Sequence, residues 1–272
     1  MASQLKTLIL LITLLICNCL LKAQNNLPFK AEVINCSPDI QSKALQAGVV
    51  ITLDDTFIDD WTRADSILAK TNWKVTFCVS SFSTLNDNQK RKLLKLQEKG
   101  HEIAFHGVHH TNSTTYLLQH SLKEYIDYEY GDVVDVMRGT GLHIYSFAYP
   151  FGARNAITDS LLLNGFSVLR TISSKGLPPE KQNCYFNNSP LISAIGIEPN
   201  YAYFNHEYLT QLLKYAQDNH KILVVYGHRP VPEPSKLKHE VGYATLQLIT
   251  DYINNNNMRF YTMKDLKCLL NP

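Results

Sequence analysis

The chain has 272 residues, 45% of them hydrophobic and 18% charged, which is the composition of a globular protein and not of a disordered one. Its 26 basic and 24 acidic residues nearly balance, and without the first 23 residues, which hold Lys6 and Lys22 and no acid, 24 stand against 24. That balance argues against a nucleic-acid partner, which leaves a basic surplus on the chain that binds it, and nothing in the sequence points to an obligatory protein partner.

The first segment stands apart from the rest. Lys6 precedes the apolar run TLILLITLLICNCLL, and small Ala23 comes just before Gln24. This is the layout of a signal peptide over residues 1–23, which implies export to the periplasm or outside the cell. A retained membrane anchor is the runner-up, but the run of about 15 residues is shorter than the ~20 a spanning helix needs; a lipid anchor at Cys17 or Cys19 is a further alternative. Residues 24–47 read as an N-terminal extension and residues 48–272 as one domain. After cleavage Cys36, Cys78, Cys184 and Cys268 remain. In an exported chain four cysteines allow three pairings, whereas Cys78, inside the strand-like KVTFCVS, reads as a buried free thiol.

Strand-like runs then recur along the chain: GVVITL (48–53), WKVTFCV (73–79), GHEIAFH (100–106), IYSFAYP (144–150), FSVLRTI (166–172), LISAIGI (191–197), KILVVYGH (221–228) and MRFYTM (258–263). Between them apolar residues at helical spacing predict helices over 60–70, 87–99, 120–139, 155–164, 206–219 and 239–254. Short apolar strands alternating with amphipathic helices give an α/β fold with parallel strands, and seven or eight such units favour a barrel, intact or distorted. In a barrel of this kind, chemistry belongs at the C-terminal ends of the strands.

Those ends carry few polar residues. The first run ends in Asp54-Asp55, the third in His106 with His109 and His110 close behind, the fourth in YPFG, and the seventh in Gly227-His228. A carboxylate with two imidazoles suits a borderline divalent ion such as zinc, with positions left open for water. His106 and His110 stand at i, i+4, aligned if the loop makes a helical turn, and spacing alone leaves His109 in competition.

With these motifs in order, the chain resembles the polysaccharide deacetylases of the NodB homology type, carbohydrate esterase family 4, over about residues 48 to 265. TLDD stands for the family's TFDD, HGVHH for its H-[ST]-x-x-H, FAYPFG for its proline-aromatic motif and VVYGH for its last motif. The resemblance implies a distorted (β/α) barrel and metal-dependent removal of acetyl groups from amino sugars or sugar esters of a polysaccharide or oligosaccharide. It makes Asp54 the general base, Asp55, His106 and His110 the metal ligands, Phe151 the backbone N–H donor to the oxyanion and His228 the general acid; His109 becomes a neighbour. Zinc is the expected metal, with cobalt or nickel as alternatives. An amide carbonyl is a poor electrophile, so a Lewis acid, a base for the attacking water and an acid for the departing amine are the groups this reaction needs.

The chain departs from the family at three places. Gly107 replaces a Ser or Thr, Ala148 stands where members carry an arginine that steadies the base, and no counterpart to the Asp-x-x-Asp-Trp motif is evident. Arg170 is the candidate substitute for the missing guanidinium. His101 alternates away from the rim and reads as structural, and Asp59 and Asp60 read as the start of a helix carrying Trp61. Trp61, Tyr149 and the Tyr201, Tyr203 and Phe204 cluster are candidates for stacking on sugar rings. There is no Gly-rich phosphate loop and no nucleophile elbow. The competing readings are an O-acetyl esterase of the xylan type and a carbohydrate-binding protein that has lost turnover on the same fold.

Overall fold

The computed structural model describes residues 28–41, 45–173 and 175–270, so the leader expected over residues 1–23 lies outside it. All eight apolar runs form strands. β1 (Gly48–Asp55), β2 (Thr76–Val79), β3 (Glu102–Phe105), β4 (Ile144–Ala148), β5 (Val168–Ser173), β6 (Leu191–Gly196) and β7 (Ile222–Gly227) pair in that order, and β7 returns to β1. Every pairing is parallel, and the result is a seven-strand barrel.

Two short strands, β8 (Arg229–Val231) and β9 (Glu240–Gly242), pair apart from it, and the last run gives β10 (Arg259–Tyr261). β7 occupies one edge of β1 along Gly48–Leu53. The other edge is shared, with β10 against Gly48–Val50 and β2 against Thr52–Asp55. A strand wedged beside the lower half of β1 is what distorts the barrel.

Alternation decides what faces where. Val49, Ile51, Leu53, Phe77, Val79, Ile103 and Phe105 pack outward under the helices, while Val50, Cys78, Ala104, Ala148, Ala194, Val224 and Tyr226 belong to a smaller cluster inside the barrel. Three alanines in that inner set leave room for one long side chain, and Arg170 fills it. The N-terminal mouth is closed by helix Met263–Leu269, which sends Met263 and Leu266 into the inner cluster. Its Met263 N–H donates to Thr76 Oγ1 at 3.0 Å and its Lys264 N–H to Glu102 Oε2 at 2.8 Å. Glu102 is fully buried, which pushes its carboxyl up even though Ser146, Lys264 and Thr76 all donate to it.

Cys268 on this helix forms a disulfide with Cys36, while Cys78 and Cys184 are free and buried, so none of the three fully paired arrangements forms. Two helices differ from the periodicity. The run 120–139 is two helices, Leu122–Glu129 and Val133–Gly139, because the chain breaks between them at Gly131 with φ of 45°. The helix expected from residue 239 begins at Tyr243, since Glu240–Gly242 is drawn into the β8 ladder with Val241 fully buried. Among the described residues no helix is long and apolar enough to cross a membrane.

Candidate active site

The C-terminal mouth of the barrel opens into a cleft of about 300 Å³, lined by Asp54, Asp55, His106, His110, Tyr149, Phe151, Arg170, Tyr201, His228 and His239 among others. Asp54, Asp55, His106, His110, Phe151 and His228, from four different strand ends, therefore meet in one place, whereas His109 stays outside it. Asp55 marks the point where β1 stops: its φ of 83° turns the chain out of the strand, so two successive carboxylates leave it in different directions.

Asp54 points into the barrel and is buried, 3% exposed. Nη2 of Arg170, 1% exposed, donates to both of its oxygens at 2.6 and 2.5 Å. Burial alone would raise the Asp54 carboxyl; the Arg170 guanidinium, with His106 and His228 nearby, outweighs it and holds the group below its ordinary value. Ala148 and Arg170 are register neighbours on β4 and β5, so the guanidinium missing from position 148 is supplied one strand over at the same level.

Asp55 turns to the histidines. Its Oδ1 lies 3.4 Å from His110 Nε2 and 3.8 Å from His106 Nε2. His106 Nδ1–H donates to the Ala148 carbonyl at 2.8 Å, which fixes the tautomer and frees Nε2 as a lone-pair donor. Burial lowers His106 to about 4 despite the Asp54 carboxylate, so the ring is neutral, as a metal ligand must be. One carboxylate oxygen and two imidazole Nε2 atoms at these separations form a donor set that fits zinc.

The loop between the histidines does not make the helical turn their spacing suggests. Gly107 has φ of 87° and His110 φ of 54°, and the chain is held by Glu129. This buried carboxylate accepts from His109 N–H at 3.0 Å, Thr111 N–H at 2.8 Å and Thr111 Oγ1 at 3.0 Å. A Cβ at position 107 would lie 2.1 Å from Glu129 Oε1, which is why glycine stands here in place of the motif's Ser or Thr. Glu129 does the ordering instead. His109 turns outward, bonded through Nδ1–H to the Tyr128 carbonyl at 2.9 Å and stacked on that ring.

Across the cleft His228 is held by Glu198, which is fully buried at the end of β6. Its carboxylate accepts from His228 N–H at 2.7 Å and from Nδ1–H at 3.0 Å. Burial pulls the imidazole down, but the Glu198 hydrogen bond and charge, then Asp54 and Asp55, carry it above its ordinary value. Glu198 thus supplies the acid that no Asp-x-x-Asp-Trp motif announced. It stands one residue beyond the LISAIGI run, where the rule that found Asp54 and His228 would also have found it.

The segment is anchored from below: Trp61 Nε1–H donates to the His228 carbonyl at 3.0 Å, and Arg229 Nε–H to Asp60 at 2.8 Å. Trp61 is fully buried and stacked on Phe77, so it positions His228 and does not meet a sugar. Asp59 and Asp60 sit in the first turn of helix Ile58–Leu68, as expected. His101 is structural, its Nε2–H on Asp65 at 2.8 Å and its Nδ1 accepting from Val75 N–H.

Phe151 lies in the kinked Pro150–Gly152 turn with φ of 57°, and its ring stands 61% exposed at the rim against His110. Three site residues, Asp55, His110 and Phe151, are therefore in the left-handed region that side chains disfavour, and strain of this kind gathers at functional sites. Tyr149 lines the cleft but is buried with its hydroxyl on Asp159 at 2.9 Å, the Tyr203 hydroxyl accepts from Gly196 N–H, and Tyr201, Tyr226 and Phe151 also line the cleft.

No curated protein matches the chain. Among solved structures it is similar to a deacetylase designated T48, solved with substrate, at 15% identity over 81% of this chain and 90% of that one, TM-score 0.51. It is similar at 15% identity to a mutant, with restored enzymatic activity, of a pseudoenzyme of carbohydrate esterase family 4, over 82% of this chain and 68% of that one, TM-score 0.51. A chitin deacetylase of the fungal pathogen Colletotrichum lindemuthianum aligns at 14% identity over 88% and 92%, TM-score 0.48. The first two show a shared fold. Residues 42–165 match the polysaccharide deacetylase family model, and that stretch holds Asp54, Asp55, His106, His110 and Phe151.

Proposed function

We propose that this chain is an exported, metal-dependent carbohydrate deacetylase that hydrolyses N-acetyl groups of a polysaccharide or oligosaccharide. The observation that carries the reading is the division of labour between adjacent carboxylates: Asp54 is buried against Arg170, while Asp55 turns to His106 and His110. Asp55, His106 and His110 would hold a divalent cation, zinc by the donor set, which would supply Lewis acidity toward the acetyl carbonyl and toward water.

Asp54, kept ionised by Arg170, accepts the proton of the attacking water. The Phe151 backbone N–H faces the negative charge that develops on the carbonyl oxygen, a donor typically worth about 3 kcal/mol. His228 carries its proton on Nε2 to the departing amine, while Nδ1–H stays on Glu198. Acetate and a free amine leave. A raised His228 suits an amine leaving group, which needs protonation more than an alcohol does, so the amide is favoured over the ester. The binding-only reading rested on the absence of an arginine and of an acid behind the histidine, and Arg170 and Glu198 supply both. A pseudoenzyme among the structural neighbours shows that this fold alone is no warrant of turnover; the reading rests on the site. The Cys36–Cys268 disulfide fits an oxidising compartment and supports export.

The test is metal content of the purified chain and acetate release from acetylated chito-oligosaccharide and acetylated xylan, with Asp54→Asn alongside. One tightly bound metal per chain, release that stops on chelation and returns with one equivalent of zinc, and an inactive Asp54→Asn are expected. A chain that binds glycan and frees no acetate sinks the proposal; release from xylan alone replaces the amide with the ester.

A further inference from the structure

Facing Asp55, His106 and His110 across the cleft is a second set of one carboxylate and two imidazoles: Glu198, His228 and His239. Glu198 Oε2 lies 3.0 Å from Nδ1 of His228 and 3.6 Å from Nδ1 of His239, and the two rings are 4.7 Å apart. The corresponding separations in the first set are 3.4 and 3.8 Å. Ligands bound at 2.0–2.1 Å in a tetrahedral site stand roughly 3.4 Å from one another. The first set lies at or just above that value and the second spans it, so the second needs little movement to close on a cation.

His228 is explained by acid catalysis and Glu198 by tuning it. Neither accounts for His239. It approaches the same carboxylate from the loop before β9, its Nδ1 3.1 Å from the Asn200 amide, and its side chain is 61% exposed.

We propose that Glu198, His228 and His239 form a second, weaker zinc site whose occupation inhibits the enzyme. The cation replaces the proton that joins His228 Nδ1 to Glu198, so binding to the imidazolium form releases one proton to solvent. With Nδ1 committed to the metal the ring is a neutral imidazole, and its remaining Nε2 proton is far too weakly acidic to reach a departing amine. Affinity is lower than at the first set because an exposed side chain must be ordered and the Asn200 contact given up. The metal-binding claim stands on these three residues; only its inhibitory consequence rests on the proposed deacetylase reading.

The experiment strips the full chain with a chelator and titrates it with Zn2+, counting equivalents by native mass spectrometry, and with Co2+, following its absorption. Two equivalents are expected in the unaltered chain, one tight and one weak. His239→Ala keeps the tight one and loses the weak one, while His106→Ala does the reverse. Acetate release falls as the second equivalent binds, and in His239→Ala the zinc concentration that halves activity rises at least about tenfold. A single equivalent in the unaltered chain, or a second one that survives His239→Ala, overturns the site. Two equivalents with undiminished activity overturn the inhibition. A chain without deacetylase activity still answers the binding question through the two counts.

Discussion

Arg170→Leu is the sharpest perturbation of the site, because it removes the guanidinium bonded to both Asp54 oxygens while keeping an apolar stem. Both partners are buried, 3% and 1% exposed. Breaking a buried pair by deleting one member costs about 3–5 kcal/mol, since the other charge is left without compensation. Against a typical stability of about 5–15 kcal/mol that is a large share.

The cost is pH-dependent in a defined direction. In the native chain the Asp54 carboxyl lies below its ordinary 3.8, so the pair stabilises the fold above that value and the contribution is lost as pH falls through the folded one. In Arg170→Leu burial acts unopposed and raises the carboxyl. Urea denaturation should therefore show the full deficit at neutral pH, shrinking as the solution is acidified. The acidic limb of kcat/KM for acetate release should move to higher pH, with a rate loss of roughly 10²–10⁴-fold where the base is protonated. Because Ala148 is the register neighbour of Arg170, the double variant Ala148→Arg/Arg170→Ala should restore much of both. A single variant with undiminished stability and an unmoved acidic limb would show that Asp54 does not depend on Arg170.

Glu198→Gln removes the charge that raises His228, so the alkaline limb of the rate profile should move to lower pH, with a loss of up to about 10²–10⁴-fold at its extreme. An unchanged alkaline limb would remove His228 from the role of acid. Gly107→Ser, which introduces the hydroxyl of the H-[ST]-x-x-H motif, should weaken the site: at φ of 87° and with a Cβ 2.1 Å from Glu129 Oε1, it should cost roughly 1–3 kcal/mol in denaturation and lower zinc affinity at the first set. A stable variant with unaltered zinc affinity would show that the loop relaxes freely.

Local pattern carried most of this architecture. Eight apolar runs became eight strands because a strand buried on both faces has to be apolar along its length, and the polar residues where those runs stop are the ones that meet in the cleft. What escaped depends on long-range geometry. Arg170 was a candidate on sequence, but only the register that sets it beside Ala148 explains how a guanidinium can change strands and reach the same carboxylate. Glu129 lies in the middle of a helical pattern, where nothing marks it as the residue that shapes the loop between the metal-site histidines. Glu198 lies within reach of the strand-end rule, but it stands outside any Asp-x-x-Asp-Trp pattern that would mark its role. Trp61 was weighed for sugar contact, whereas packing made it a strut under His228.

The disulfide has a mechanical consequence. Cys36 and Cys268 lie 232 positions apart, near the two ends of the described chain, and their bond turns the barrel into a closed covalent ring. Tension applied between the two termini passes through the Sγ–Sγ link and bypasses the seven strands, which feel no shear along their ladders. A chain held at one end and dragged at the other therefore keeps its cleft in register as long as that single bond stays oxidised.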